Sequence, residues 1–279
     1  MQIIHSIADM HRWRAEQADV AIVPTMGNLH EGHLSLVRQA RQHADRVIVS
    51  IFVNPLQFGV NEDFSRYPRT LTRDCELLRE LDTDVVFAPA ADALFPHPQS
   101  YHVEPPALAN ELCGAFRPGH FHGVATIVLK LFNIMQPQVA LFGQKDYQQL
   151  AIIRGMVADL NVPVDIVAGP TIRATDGLAL SSRNGFLSAS ERAEAPRLYQ
   201  TLSALRDRLA AGERDFAALE LAASATLAVH GWRVDYVAIR RPDLTIPGPD
   251  DTTLVILGAG HLGSTRLIDN IEVESMETL

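Results

Sequence analysis

The chain has 279 residues, a formal net charge of −9 and 47% hydrophobic residues, enough for one large or two smaller domains with a substantial core. The negative balance excludes general nucleic-acid or anionic-membrane binding as the main role. No apolar run approaches the roughly 18–20 residues of a spanning helix, the start Met1-Gln2-Ile3-Ile4-His5 lacks a secretory pattern, and Cys75 and Cys113 match no metal or disulfide framework. These features predict a cytoplasmic protein.

In chain order, Val20–Val23 reads as a short buried strand ended by Pro24. Gly27 permits a sharp turn, and Leu34–Ala40 carries apolar residues at helical spacing. Arg46–Phe52 is a continuous apolar run typical of a central parallel strand. The loop Asn54–Gly59 follows, then a polar stretch from Val60 to Thr70 and a helix near Leu71–Leu81. Asp84–Ala88 is the next strand, stopped by Pro89, and the proline-rich 89–119 region receives no assignment. Beyond it come a helix Ala125–Met135, a strand Val139–Phe142, a helix Tyr147–Leu160 and a strand Val164–Val167. This alternation predicts a doubly wound parallel sheet, which binds ligands at the carboxyl ends of its strands. After about Thr171 the pattern changes. Two helices, Ala189–Leu209 and Phe216–His230, precede three β-like runs, Val234–Ile239, Thr253–Leu257 and Thr265–Ile268. A smaller α+β domain over 172–279, following a domain over 1–171, is the expectation.

The stretch Val23–His33 carries the strongest chemical signal. A strand, a glycine turn and a helix start form a junction where backbone N–H groups and the helix dipole receive an anion. His30 and His33 stand at that junction and can donate to phosphate oxygens. The pattern is neither G-x-G-x-x-G nor a Walker loop, so spacing alone leaves a phosphate site and simple helix capping both open. The Gln57 loop and the end of Val139–Phe142 converge on the same sheet edge. Leu178–Gly185, with its hydroxyls and Arg183, suits a phosphate-gripping loop.

An ordered set of motifs adds to this: P-T-M-G-N-L-H-E-G-H ending at His33, S-I-F-V-N-P-L-Q-F over Ser50–Phe58, Y-P-R-T over Tyr67–Thr70, R-P-G-H-F-H-G-V over Arg117–Val124, F-G-Q-K-D-Y-Q-Q-L over Phe142–Leu150, D-G-L-A-L-S-S-R-N over Asp176–Asn184, and T-R-L-I-D-N over Thr265–Asn270. Through these the chain resembles the pantothenate synthetase family over essentially its whole length. Gln144, where glutamate is expected, and Gly258-Ala259-Gly260-His261 depart from the pattern. The resemblance implies a nucleotidylyltransferase-type Rossmann domain binding ATP and pantoate, with the smaller domain covering the active site. It also implies a ligase that adenylates pantoate with ATP and passes the acyl group to β-alanine, releasing AMP and pyrophosphate.

By the same resemblance His33, His30 and Lys145 are catalytic, His33 being the better proton donor. Met26, Gly27, Asn28, Leu29, His30, Glu31, Gly32 and His33 contact ATP. So do Gly143, Gln144, Lys145, Asp146, Ile172, Leu180, Ser181, Ser182 and Arg183. Asp146 is equally a cap of the following helix, and Met26 equally core filler. Gln57 and Gln149 hold pantoate, with Gln57 also near β-alanine. Arg117 and His120 either orient substrate or order their loop. Asp74 is either a Mg²⁺ ligand or an acid suited to a first helical turn. Mg²⁺ is expected with ATP, residues 59–73 as a lid that excludes water, and a homodimer as the assembly. No nucleic acid or membrane partner is expected. Two other readings remain: a nucleotidylyltransferase acting on another small substrate, and a nucleotide-binding scaffold without catalysis, against which the histidines, Lys145 and Ser181-Ser182-Arg183 argue.

Overall fold

The computed structural model describes residues 1–59 and 62–273. Val60 and Asn61, inside the expected lid, lie outside the described residues. The chain forms two compact units, one of Met1–Gln144 and Gln149–Pro170, the other of Lys145–Gln148 and Thr171 onward.

The first unit is built on β1 (Gln2–Ile4), β2 (Val20–Thr25), β3 (Arg46–Ile51), β4 (Val85–Phe87), β5 (Val139–Gly143) and β6 (Asp165–Gly169). All pair parallel, in the order β1-β4-β3-β2-β5-β6. Their period-two side chains explain why these runs are apolar throughout. Val20, Ile22, Ile48, Val85 and Phe87 enter one core, while Ala21, Val23, Val47, Val49 and Val86 enter another on the opposite face. The first core is closed by α1 (Ile7–Ala15), α6 (His120–Met135) and α7 (Tyr147–Asp159), the second by α2 (Glu31–Ala40) and α3 (Leu71–Arg79). Two short helices, α4 (Ala91–Leu94) and α5 (Cys113–Phe116), occupy the proline-rich region left unassigned by sequence.

Three differences from expectation have local causes. Pro24 does not end its strand but pairs in register with Ser50. Beyond Ile22, β5 no longer pairs with β2, so the missing N–H of Pro24 breaks no ladder. β1 and α1 went unpredicted. β1 has three residues with only Ile4 buried, and α1 is signalled mainly by Ser6, whose hydroxyl accepts from Asp9 N. α6 begins at His120, five residues before the expected start, because Gly119 supplies a left-handed N-cap at φ 78°.

The second unit is an antiparallel sheet of β7 (Arg233–Arg240), β8 (Leu254–Leu262) and β9 (Thr265–Val273), in that order. The expected helix Ala189–Leu209 is two, α8 (Ala189–Glu194) and α9 (Arg197–Ala210), since Pro196 cannot continue the first. With α10 (Phe216–Ala228), α9 supplies apolar residues to the core of this unit. β8 runs straight through the unusual Gly258-Ala259-Gly260-His261, and a Cβ at Gly258 would meet Leu198 Cδ1 at 2.9 Å. A shift of register between Val234 and Tyr236 displaces Asp235, which takes Arg266 Nε at 2.8 Å and stands 3.7 Å from His261 Nε2.

Burial, reinforced by Arg233 and Arg266, holds the His261 pKa below its ordinary value despite the opposing Asp235 carboxylate. The folded chain therefore takes up a proton at His261 less readily than the unfolded chain. Its contribution is fully present above the unfolded pKa and is lost as pH falls below it. Thermal midpoints of wild type and His261→Gln between pH 8 and pH 5 should diverge in slope, wild type falling more steeply below the ordinary imidazole value of 6.5. Parallel curves would refute this.

Candidate active site

The loop between β2 and α2 is held by its own hydrogen bonds. Thr25 Oγ1 donates to Ser50 O at 2.8 Å and accepts from Gly27 N at 3.1 Å. Gly27 has φ 79° and Asn28 φ 52°, which carries the chain sharply from strand to helix. Asp74 of α3, only 1% exposed, then grips the turn. Its Oδ2 accepts from Asn28 N at 2.9 Å and from Thr70 Oγ1 at 3.1 Å, and its Oδ1 accepts from Leu29 N at 2.9 Å. Both carboxylate oxygens are thus engaged within the protein.

His30 is the N-cap of α2. Its Nδ1 accepts from Gly32 N at 3.1 Å, and His33 Nδ1 accepts from His30 N at 3.4 Å, a reciprocal box made of two imidazoles. An Nδ1 that accepts leaves the proton on Nε2, so these partners assign both rings the Nε2–H tautomer. The rings lie 4.1 Å apart at 38°. A Cβ at Gly32 would come within 2.9 Å of the His30 ring, so glycine is what lets that ring fold over the helix start.

The backbone N–H groups of this junction are mostly engaged within the protein. The amides of Gly27, Asn28, Leu29, His30 and Gly32 all have acceptors inside the protein, and those of His33 and Leu34 bond His30 O. At this junction the two Nδ1 atoms and most of the backbone N–H groups are thus taken up by bonds within the protein. Glu31 is turned to Arg38 on the exposed face of α2.

At the end of β3, Asn54 caps a 3-10 turn, Pro55–Gln57, accepting from Leu56 N at 3.2 Å. Asn54 Nδ2 donates to Gln57 Oε1 and to Gly123 O, both at 3.1 Å, and Gln57 Nε2 lies 3.1 Å from Met26 Sδ. Gln57 and Met26, predicted separately, are thus in contact. α6 approaches this turn so closely that a Cβ at Gly123 would stand 2.1 Å from Leu56 O. Asn54 and Gly123 were not singled out by sequence, although Asn before Pro is a recognisable turn signal.

Arg117 and His120 order this loop. His120 Nδ1 bonds Gln57 O at 2.9 Å, and its Nε2 meets Arg117 Nη1 at 2.9 Å. A carbonyl only accepts and a guanidinium only donates, so His120 carries its proton on Nδ1. Arg117 also grips both Glu62 oxygens, at 2.9 and 2.5 Å. The expected lid is partly tied down: Phe58 meets Phe64 at 5.3 Å and Tyr67 at 5.9 Å, and residues from Leu71 belong to α3. Gly143 ends β5, Gln144 opens a 3-10 turn, and Gln149 is half-buried in α7.

In the second unit, Lys145 and Asp146 complete that 3-10 turn. Asn270 Nδ2 donates to Lys145 O at 2.9 Å. Ile172 O accepts from Leu180 N at 2.9 Å, and Arg173 bridges Ala179, forming a tight paired segment that leads into Ser181. Ser181 caps a 3-10 helix, Ser182–Phe186, accepting from Arg183 N at 3.2 Å. Arg173 donates to Asp269 Oδ2 at 2.6 Å and Oδ1 at 2.9 Å. Sequence reasoning quoted Asp269 and Asn270 within a motif but gave them no role, and did not name Arg173. Among the described residues no group of three or more His, Cys, Asp or Glu side chains is placed to hold a metal ion. No described helix is long and apolar enough to cross a membrane.

Comparison with known proteins identifies the family. The profile of a family described as Pantoate-beta-alanine ligase matches residues 2–272. A pantothenate synthetase of Chromobacterium violaceum is 60% identical over 275 residues, covering 98% of this chain and 99% of that protein. One from Neisseria meningitidis serogroup A is 59% identical over 276 residues, with 98% and 99% covered. A crystal structure of pantothenate synthetase from Thermus thermophilus superposes with a TM-score of 0.92 at 46% identity, covering 98% of this chain and 100% of that one. A pantoate–β-alanine ligase from Francisella tularensis, crystallised with a β,γ-ATP ligand and β-alanine, superposes at 0.82 with 35% identity, covering 98% and 97%. Family profile, near-complete coverage and common architecture agree: this chain belongs to the pantoate–β-alanine ligase family.

Proposed function

We propose that the chain condenses pantoate with β-alanine at the expense of ATP, through a pantoyl adenylate, with release of AMP and pyrophosphate. The observation that carries this reading is the pair of Nε2–H imidazoles fixed at the start of α2 by their own capping box. Attack of a carboxylate oxygen on the α-phosphorus builds charge on the nonbridging and leaving oxygens. Donors positioned beforehand stabilise that charge without reorganising. His30 and His33 supply such donors, with His33 delivering the proton toward the leaving pyrophosphate.

Gln57 presents an amide, which hydrogen-bonds pantoate's hydroxyls without repelling its carboxylate. Gln149 is assigned the same substrate. Lys145 supplies a point charge and Arg183 a two-pronged donor to the triphosphate, with Ser181 and Ser182 beside them. Arg117 and His120 are assigned loop order through Gln57 O and Glu62. The 62–70 segment, closing over the adenylate, would keep water from hydrolysing it.

Mg²⁺ fits ATP as its counter-ion, but the described residues do not form a resident site. Asp74 has both oxygens engaged by the loop and Thr70, so no step is assigned to a protein-held metal. We assign the working form to a cytoplasmic homodimer, for which sedimentation of a monomer at working concentration would be disproof. In the decisive experiment, pantoate-dependent exchange of labelled pyrophosphate into ATP is measured first, then β-alanine is added. Exchange followed by stoichiometric AMP and pantothenate is expected. Exchange without AMP on adding β-alanine would leave a nucleotidylyltransferase, and no turnover with any acid a binding protein.

A further inference from the structure

Lys145 follows β5 in sequence, yet residues Lys145–Gln148 pack with the C-terminal unit. Hydrogen bonds help hold them there. Asn270 Nδ2 donates to Lys145 O at 2.9 Å, and Tyr147 Oη donates to Pro242 O at 3.3 Å. Asn270 is 5% exposed and Asp269, its neighbour on β9, 4% exposed. Asp269 takes both arms of the Arg173 guanidinium, and its Oδ1 also accepts from Asn270 N at 2.8 Å. The same guanidinium donates to Asn270 O at 3.3 Å and Gly177 O at 3.1 Å, and lies 3.9 Å over the Tyr199 ring. Arg173 thereby anchors the paired segment that delivers Ser181, Ser182 and Arg183. One stretch of β9 thus supports both cationic arms assigned to the triphosphate.

We propose that Asn270 is a positioning residue for Lys145, fixing through the Lys145 carbonyl the backbone from which the ammonium reaches the phosphates, while Asp269 and Arg173 set the Ser181–Arg183 loop from the same strand. The assignment rests on the ligase reading above. Lys145 itself makes no hydrogen bond or ion pair from its ammonium among the described residues, so only its backbone is anchored. A long, flexible side chain on a displaced backbone loses its aim. Misplacement by about 1 Å is enough for a rate loss on the order of 100-fold.

The test is a double-mutant cycle. Asn270→Ala is expected to lower pantoate-dependent pyrophosphate exchange about 10- to 100-fold. It should weaken ATP binding by calorimetry about tenfold while the KM for pantoate stays within about twofold. In a Lys145→Ala background the same change should alter ATP affinity by less than about twofold, because residues acting through one another are non-additive. Asn270→Asp, which keeps the side chain's size but replaces the donor, should repeat the loss if the alanine protein melts below assay temperature. Equal weakening in both backgrounds would make Asn270 a structural residue only and overturn the proposal. So would an Asn270→Ala enzyme with normal exchange. Absence of pantoate-dependent exchange in the wild type would instead bring down the ligase reading, and the positioning role with it.

Discussion

His33→Ala should lower the single-turnover rate of adenylate formation about 100- to 1000-fold, the range for removing one positioned donor to a developing oxyanion. The fold should survive. The substitution removes the long capping bond from His30 N to His33 Nδ1 at 3.4 Å and the ring contact with His30, and a lost cap costs about 1 kcal/mol. In a chain of this size that lowers the thermal midpoint by only a few degrees. The two effects are therefore separable: a large kinetic loss with a small thermal one. ATP affinity should change far less than the rate, since the donor acts chiefly on charge that develops during the reaction. Rapid-quench measurement of adenylate with saturating pantoate and ATP reads the rate directly. A variant within about threefold of wild type would remove His33 from the chemistry and leave it as a helix cap.

Asp74→Ala should show the opposite balance, a large loss of stability followed by a loss of activity. The carboxylate is 1% exposed and receives Asn28 N, Leu29 N and Thr70 Oγ1. Truncation leaves these donors without their acceptor, and each unsatisfied buried group costs about 1–3 kcal/mol. A total of roughly 3–5 kcal/mol corresponds to a drop in thermal midpoint on the order of 10 °C. The turn that carries His30 and His33 loses its brace, so adenylation should fall about 100-fold even below the new midpoint. Asp74→Asn serves as the companion, because its amide nitrogen would oppose one of the backbone donors and restore only part of the stability. A metal ligand would behave differently. It would shift the Mg²⁺ concentration needed for activity while leaving the apo protein's midpoint untouched, and that pattern would overturn the brace assignment.

These two residues illustrate what kind of information a sequence holds. Val47–Val49 and Val20–Val23 are legible as central strands because burial on both faces demands apolar residues at every position, a signature carried by the run itself. The junction at His30 and His33 is legible for a similar reason, since strand, turn and helix start follow one another locally. Local patterning likewise announces the helices, except where a single residue intervenes, as Pro196 does between α8 and α9. The C-terminal strands extend past their apolar runs because an antiparallel ladder continues wherever backbone partners exist, whatever side chains it carries.

By itself, then, the sequence determined the parallel sheet, the chemical types gathered at its carboxyl edge and, through its motifs, the family. Only the tertiary structure decided what each group is free to do. The acceptor that occupies the Asn28 amide lies 46 positions away, the counter-ion of Arg173 96 away, and the amide that anchors Lys145 125 away. No period or spacing encodes such pairings, because they arise when folding brings buried donors and acceptors together and each must find a partner. That requirement turned backbone amides of the loop inward and made the two imidazoles partners in each other's capping. It also made Asp74 a brace, and gave Asp269 and Asn270 a place beneath Lys145.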